Sequence, residues 1–291
     1  MTLRMHFVAA VVAGIGIAGL QARAGAQTIS FPTFSDLSPL TLNGSTAAIN
    51  SAGPVFSNGQ DVLRLTNDLG QSGSAFMTNP IALTDAGGFK ASFSAFFQFQ
   101  ITNPMGISDN DGQGADGIVF TVQTVANTAG GSGGGIGYAG LPNSLGIEFD
   151  TWQNDPYDPD GNHVGIDYNG NIVSALTAGV SPRMNNGDVW NAWVDYNGDT
   201  QALEVRLGTD INRPINPYLS TTADLPTILG TPNAYIGFTS GTGSAGGNHD
   251  IRTFQFNNTY KPIVGAVPEP GSLTLLLGGL PPLGLVAKRR K

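Results

Sequence analysis

Apolar and polar residues alternate with a period of two in segment after segment of this chain. Between residues 89 and 101 the side chains of Phe93, Ala95, Phe97 and Phe99 fall on one face of an extended chain, which reads as a strand lying over a core. Shorter runs at residues 62–66, 73–77, 118–122, 234–238 and 251–256 repeat the signal. Residues 190–196, the turn Asn197-Gly198 and residues 203–207 read as a β-hairpin. Residues 27–57 alternate only weakly: Phe31, Phe34, Leu37, Leu40 and Leu42 are punctuated by Pro32, Ser35, Pro39 and Asn43-Gly44, so short strands and turns are expected there. A loop with a short helical turn near Asp224 is expected over residues 210–232. The 41 Gly and 18 Pro, with few charges, favour many short strands over helices, so the expected class is all-β, an antiparallel β-sandwich. Trp190, Trp193 and the phenylalanines belong to its packing.

One stretch adds chemistry to the pattern. Leu145, Ile147 and Phe149 alternate with Glu148 and Asp150, placing two carboxylates together on the face opposite the apolar one. A loop rich in Asp, Asn and Pro follows, and the next strand resumes at Val164 with His163 at its start. Glu148, Asp150, Asn154, Asp158 and His163 therefore share a single hairpin. The oxygens suit calcium, and an imidazole among carboxylates suits manganese or another first-row divalent metal. A solvated turn needs Asp and Asn, but neither the Glu-x-Asp alternation nor the imidazole.

These residues resemble the legume-type (L-type) lectins, whose metal hairpin reads Glu-x-Asp-Thr-aromatic-x-Asn, then Asp-Pro, then His-hydrophobic-Gly-Ile-Asp. The resemblance runs from about Ile29 to Phe256, and Phe254 stands where many members carry Trp. It implies a concanavalin-like jelly roll that binds carbohydrate. It also implies that Glu148, Asp150, Asp158 and His163 hold Mn2+, while Asp150, Asp158, Asn154 and the Trp152 carbonyl hold Ca2+. By the same resemblance Asp116 of Ala115-Asp116-Gly117 is the sugar-binding aspartate, often preceded by a cis peptide. Gly134 or Gly135 offers a backbone N–H, Asn154 donates to the sugar, and residues around Gly243 and Ser244 select the monosaccharide. Tyr138 or Trp152 is expected to cover the apolar sugar face.

Other patterns are set aside. Ser108-Asp109-Asn110-Asp111-Gly112 lacks the spaced ligands of a helix-loop-helix calcium site and reads as a turn. Gly135-Ile136-Gly137-Tyr138-Ala139-Gly140 matches a dinucleotide fingerprint without the strand-helix unit it needs, and residues 130–134 match a nucleophile elbow only because glycines fill it. Glu148-Phe149-Asp150 also resembles the start of a laminarinase-type Glu-x-Asp-x-x-Glu motif, but Trp152 and Gln153 occupy the positions for the second Glu. Retaining hydrolysis needs two carboxyl groups about 5–5.5 Å apart. A binding protein is therefore expected rather than an enzyme, with a structural envelope protein as a further alternative.

The ends carry addresses. Residues 1–26 combine Arg4, an apolar run from Phe7 to Leu20 and Ala24-Gly25-Ala26, the plan of a secretory signal peptide. Residues 263–291 contain Val267-Pro268-Glu269-Pro270, a short apolar run and Lys288-Arg289-Arg290-Lys291, a pattern resembling the PEP-CTERM sorting tail of Gram-negative bacteria that an exosortase recognises. Between the two ends the lectin-like domain is expected at 27–262, and the tail resemblance implies an envelope location with exopolysaccharide as ligand. Over residues 27–270 seven basic residues face 21 acidic ones, a net charge of about −14, which argues against nucleic acid as a partner. There is no cysteine, and homo-oligomerisation through a sheet edge is left open.

Overall fold

The structure, a computed structural model, describes residues 25–83, 90–130 and 135–265. In chain order the strands are β1 (Thr28–Phe31), β2 (Leu40–Gly44), β3 (Val55–Ser57), β4 (Gln60–Thr66), β5 (Ser72–Met77) and β6 (Ile81–Ala82). Then come β7 (Phe93–Gly106), β8 (Gly117–Gln123), β9 (Ser144–Asp150), β10 (His163–Tyr168) and β11 (Leu176–Gly179). The last are β12 (Val189–Asn197), β13 (Ala202–Gly208), β14 (Leu219–Thr222), β15 (Asn233–Gly241) and β16 (Ala245–Asn257). They form two antiparallel sheets. One has the order β14-β13-β12-β7-β16-β4-β3, with β1 on β16; the other has β11-β10-β9-β8-β15-β5-β2, with β6 on β15. This is the sandwich expected from the alternation.

The inward faces carry the aromatics that the pattern assigned to the core. Phe97 meets the rings of Phe99, Phe120, Phe149 and Phe238 at centroid distances of 5.1–6.3 Å, and all five are buried. Burying each such side chain stabilises the fold by about 1.5–3 kcal/mol relative to exposure. Trp190 is in this core, whereas Trp193 is buried against Phe96 and Ile263, so both tryptophans pack as expected. His249 is fully buried with Nδ1 2.6 Å from Thr66 Oγ1, and burial pushes its pKa down to about 3.

Three local features differ from the expectation or refine it. Residues 45–49 form a short helix, α1 (Ser45–Ile49), where only strands and turns were expected; five residues are too few to show helical periodicity. The second helix, α2 (Leu225–Leu229), starts at Asp224, whose side chain accepts from the Thr227 N–H, and it is the helical turn anticipated there. The β12–β13 hairpin pairs Asn197 with Ala202, so the reversal is made by residues 198–201 rather than by Asn197-Gly198. No helix among the described residues is long and apolar enough to cross a membrane.

Register decides where the site lies. β8, β9, β10 and β15 share one sheet, with Gly117 opposite Asp150, Asp150 opposite His163, and Gly117 opposite Gly241. One end of the sheet therefore gathers Asp116, Asp150, His163 and the 242–244 loop. Residues 1–24 of the expected signal, Gly134 and residues 266–291 of the expected sorting tail lie outside the described residues.

Candidate metal and sugar site

The strand period puts Glu148 and Asp150 on the face of β9 opposite its core residues, and both are buried nonetheless. The ligand atoms of Glu148, Asp150 and His163 all lie within 4.8 Å of one another. Burial drives the Asp150 carboxyl well above the usual carboxylate range, and the nearby charges of Glu148 and Asp158 push it further. Such crowding of buried acids is costly unless a cation offsets it.

His163 is oriented for that purpose. Its Nδ1 lies 3.1 Å from the Asp160 backbone carbonyl; donation there leaves the Nε2 lone pair pointing at the acids. Nε2 is buried, 3.3 Å from Glu148 Oε1, and has no hydrogen-bond partner among the described residues. Burial opposes protonation of this imidazole, but Glu148, Asp158 and Asp160 outweigh it and raise its pKa. Two carboxylates and an imidazole whose Nε2 faces them are the donor set of a divalent cation, which would displace the proton these acids favour on the ring, so the residues present fit the metal expected from the sequence.

The hairpin loop supplies the rest. Asp158 stands outside the tight trio but lines a cavity of about 250 Å³ with Glu148 and His163. Its Oδ2 accepts from the Asn154 N–H at 2.7 Å, and the Asn154 carbonyl accepts from Tyr157 at 2.8 Å. Asp150 Oδ1 accepts from the Trp152 N–H at 2.7 Å. Short bonds thus hold Asp150 to Trp152 and Asp158 to Asn154, the four residues expected to hold calcium.

Asp116 sits beside them. The Ala115–Asp116 peptide is cis, as the resemblance implied. The Asp116 N–H donates to Gly241 at 3.2 Å, and its carbonyl accepts from the Thr151 N–H at 2.8 Å. The side chain is buried, and Oδ2 has no hydrogen-bond partner among the described residues. Burial, with help from Asp158, pushes its pKa up to about 7. A Cβ on Gly243 would stand 3.9 Å from Asp116 Oδ2, so the expected selecting loop does face this carboxylate. The Ser244 carbonyl accepts from Ile107 at 3.2 Å. Gly135 begins a turn packed on β15, where Thr239 Oγ1 donates to the Ile136 carbonyl at 2.7 Å.

Tyr138 does not fit its expected role. It is fully buried, its ring against Gly146, where a Cβ would come within 2.8 Å of it, and its hydroxyl accepts from Ser144 at 2.9 Å. It cannot cover a sugar. Trp152, by contrast, is only half-buried.

Sequence reasoning passed over a supporting layer. Ser174 Oγ lies 2.5 Å from Glu148 Oε1 and 2.6 Å from Asp167 Oδ1. A hydroxyl has one proton to give. Burial pushes the Asp167 carboxyl well up, and the one Ser174 hydroxyl ties it to Glu148. Asp167 could have been found, because it continues the period of His163 and Gly165. Ser174 comes from the β10–β11 connection and gave no such signal.

The family described as Legume lectin domain matches residues 26–266. The chain is 32% identical over 224 residues to Agglutinin-2 of Cladrastis kentukea, covering 70% of this chain and 74% of that protein. It is also 32% identical over 224 residues to the L-type lectin-domain containing receptor kinase VIII.1 of Arabidopsis thaliana, covering 72% of this chain but 30% of the kinase. Among solved structures, winged bean acidic lectin complexed with methyl-alpha-D-galactose superposes with a TM-score of 0.66 at 28% identity, covering 80% of this chain and 98% of that one. With the sandwich, the buried acid–imidazole trio and the Asp116 corner already in place, these matches make the chain a member of the legume lectin domain family.

Proposed function

We propose that this protein is a metal-dependent carbohydrate-binding protein without catalytic activity. The observation that carries the proposal is Asp116: a buried carboxylate with an unpartnered oxygen, facing Gly243 and set against a cation-fitting cluster. In this reading Glu148, Asp150, Asp158 and His163 hold Mn2+ or another first-row ion, and Asp150, Asp158, Asn154 and the Trp152 carbonyl hold Ca2+. When bound, the cations supply the positive charge that the buried acids lack. The hairpin, so fixed, presents the Asn154 amide; Asp116 accepts from two neighbouring sugar hydroxyls, and a backbone N–H at Gly134 or Gly135 adds a third contact. Gly243 and Ser244 border the sugar and select among epimers. Gln153 stands where a hydrolase motif would have its second acid, and an amide can serve neither as nucleophile nor as general acid.

A single shallow sugar site binds weakly, so useful affinity comes from several sites on one polymer or one oligomer. Exopolysaccharide at a Gram-negative envelope is the ligand class that the terminal segments favour. The signal at 1–26 directs export, and the tail after 262 is read by an exosortase.

A glycan array probed with the metal-loaded protein tests this. Hexosides are the first probes, because methyl-alpha-D-galactose occupies the winged bean relative. Binding to a coherent set of glycans is expected. Failure to bind any glycan by folded, metal-loaded protein contradicts the proposal.

A further inference from the structure

The acidic turn at 108–112 leads from β7 toward Asp116 and lies between the metal hairpin and the 242–244 loop. We infer that Asp109 is a positioning residue whose carboxylate aims the Trp152 carbonyl at the calcium position, with Asp111 and Arg183 completing a brace around the hairpin loop. The inference rests on the calcium reading given above.

Asp109 is an exposed-turn residue by sequence, yet its side chain is only 7% exposed. Oδ1 accepts from the N–H groups of Asp111 and Gly112, both at 2.9 Å, which closes the turn on itself. Oδ2 reaches across and accepts from the Gln153 N–H at 3.1 Å, 44 residues away in sequence. That N–H belongs to the same planar unit as the Trp152 carbonyl. In a trans peptide the two groups point in opposite directions, so holding one fixes the other. Among the described residues the only cis peptides are at Asp116, Pro156 and Pro182, so this one is trans. The Trp152 N–H, held by Asp150 at 2.7 Å, fixes the other side of the same residue. The candidate calcium carbonyl is therefore set by two carboxylates, one inside the hairpin and one outside it.

The far end of the loop is held in the same manner. Asp111 Oδ2 accepts from the Gly161 N–H at 2.8 Å. Position 161 has no room for a side chain, since a Cβ there would collide with Asp109 Oδ2 and stand 2.9 Å from Asp111 Oδ2. Arg183 closes the circuit. Its Nη2 donates to the Thr151 carbonyl at 2.7 Å, and its Nη1 lies 3.8 Å from Asp109 Oδ1. Thr151 in turn donates its N–H to the Asp116 carbonyl. A solvated turn would spend its carboxylates on water. Here Asp109 takes three N–H groups and faces a guanidinium, which makes it a strong, charge-assisted anchor.

The test titrates manganese and then calcium into the metal-free protein, without sugar, for wild type, Asp109→Asn, Asp111→Ala and Asp111→Asn. Amide hydrogen exchange at Gln153 and Gly161 is followed in the metal-free state. An amide offers one acceptor oxygen where Asp109 uses two, and Ala offers none. Asp109→Asn and Asp111→Ala should weaken calcium by about 10-fold or more, the range seen when partners of metal ligands are removed, with manganese changed by less than about 3-fold. Exchange should quicken at Gln153 in Asp109→Asn and at Gly161 in Asp111→Ala. Asp111→Asn, which keeps an acceptor on this exposed side chain, should bind like wild type. Calcium affinities equal to wild type in both weakened variants overturn the brace alone. So does a parallel loss of both metals with a lowered unfolding midpoint, the mark of a merely structural role. A wild-type protein that takes up no calcium overturns the calcium reading and the brace together.

Discussion

Chelation of the metals lowers the unfolding midpoint by about 5–10 °C for each ion removed. The magnitude follows from linkage: an ion present at 100 times its dissociation constant stabilises the native state by about 2.7 kcal/mol, and a domain of this size shifts by about 2–4 °C per kcal/mol. Its physical source is the crowding of acids. Asp116, Asp150, Asp158 and Asp167 all have pKa values raised by burial first, and Asp150, Asp158 and Asp167 are raised further by Glu148. The pH dependence of the metal-free protein shows the same cause. A carboxyl whose folded pKa is raised binds more protons folded than unfolded, between about pH 4 and its folded value. Stability of the metal-free protein therefore rises on acidification from pH 7 toward 5, through Asp116, whose folded value is about 7, and through Asp150 and Asp167, which stand well above the usual carboxylate range. His249 opposes them below about pH 6.5, because its lowered folded pKa makes the unfolded state bind the extra proton. The metal-loaded protein moves the other way, since protonating the ligands releases the ions. Scanning calorimetry at pH 5 and 7 with and without chelator reads both slopes; equal midpoints with and without metal at pH 7 would contradict the expectation.

Asp116→Asn abolishes sugar binding and spares the metals. Hydrogen bonds from sugar hydroxyls to a carboxylate are worth about 1.5–3 kcal/mol each, so losing the charge and one of two acceptors costs about 100-fold in affinity or more. The Asn amide also presents donors where the sugar itself donates. Asp116 is outside the Glu148–Asp150–His163 trio, so manganese and calcium titrations should match wild type. Replacing a buried carboxylate whose pKa stands near 7 by a neutral amide should leave the metal-free fold no less stable. Retained glycan affinity in a metal-loaded Asp116→Asn protein would remove Asp116 from the site.

Both predictions concern residues legible in the sequence, and the reason is geometric. In β9 and β10 the period of two survives intact, so Glu148 and Asp150 share a face and His163 faces Asp150 across the ladder. Strand alternation also exposed the core, because each sheet buries one face against the other. What could not be read came from across the chain. Ser174, Arg183, Asp109 and Asp111 reach the hairpin from other connections, and no spacing links an Asp-rich turn to an N–H 44 residues away. Tyr138 was misjudged because an aromatic in a glycine-rich segment looks exposed. The space that admits its ring is made by Gly146 on β9, a tertiary fact. The helix α1 is too short to announce itself, and its Ser45 and Thr46 hydroxyls donate instead to the Leu65 carbonyl on β4.

The central claim is that cations order a hairpin that in turn makes a sugar site, and isothermal titration tests it most directly. The glycan selected on the array is titrated into metal-free protein and into the same protein after manganese and calcium are restored. Binding is expected only with both ions present, returning in full on their addition. Equal affinity in the metal-free protein would contradict the claim.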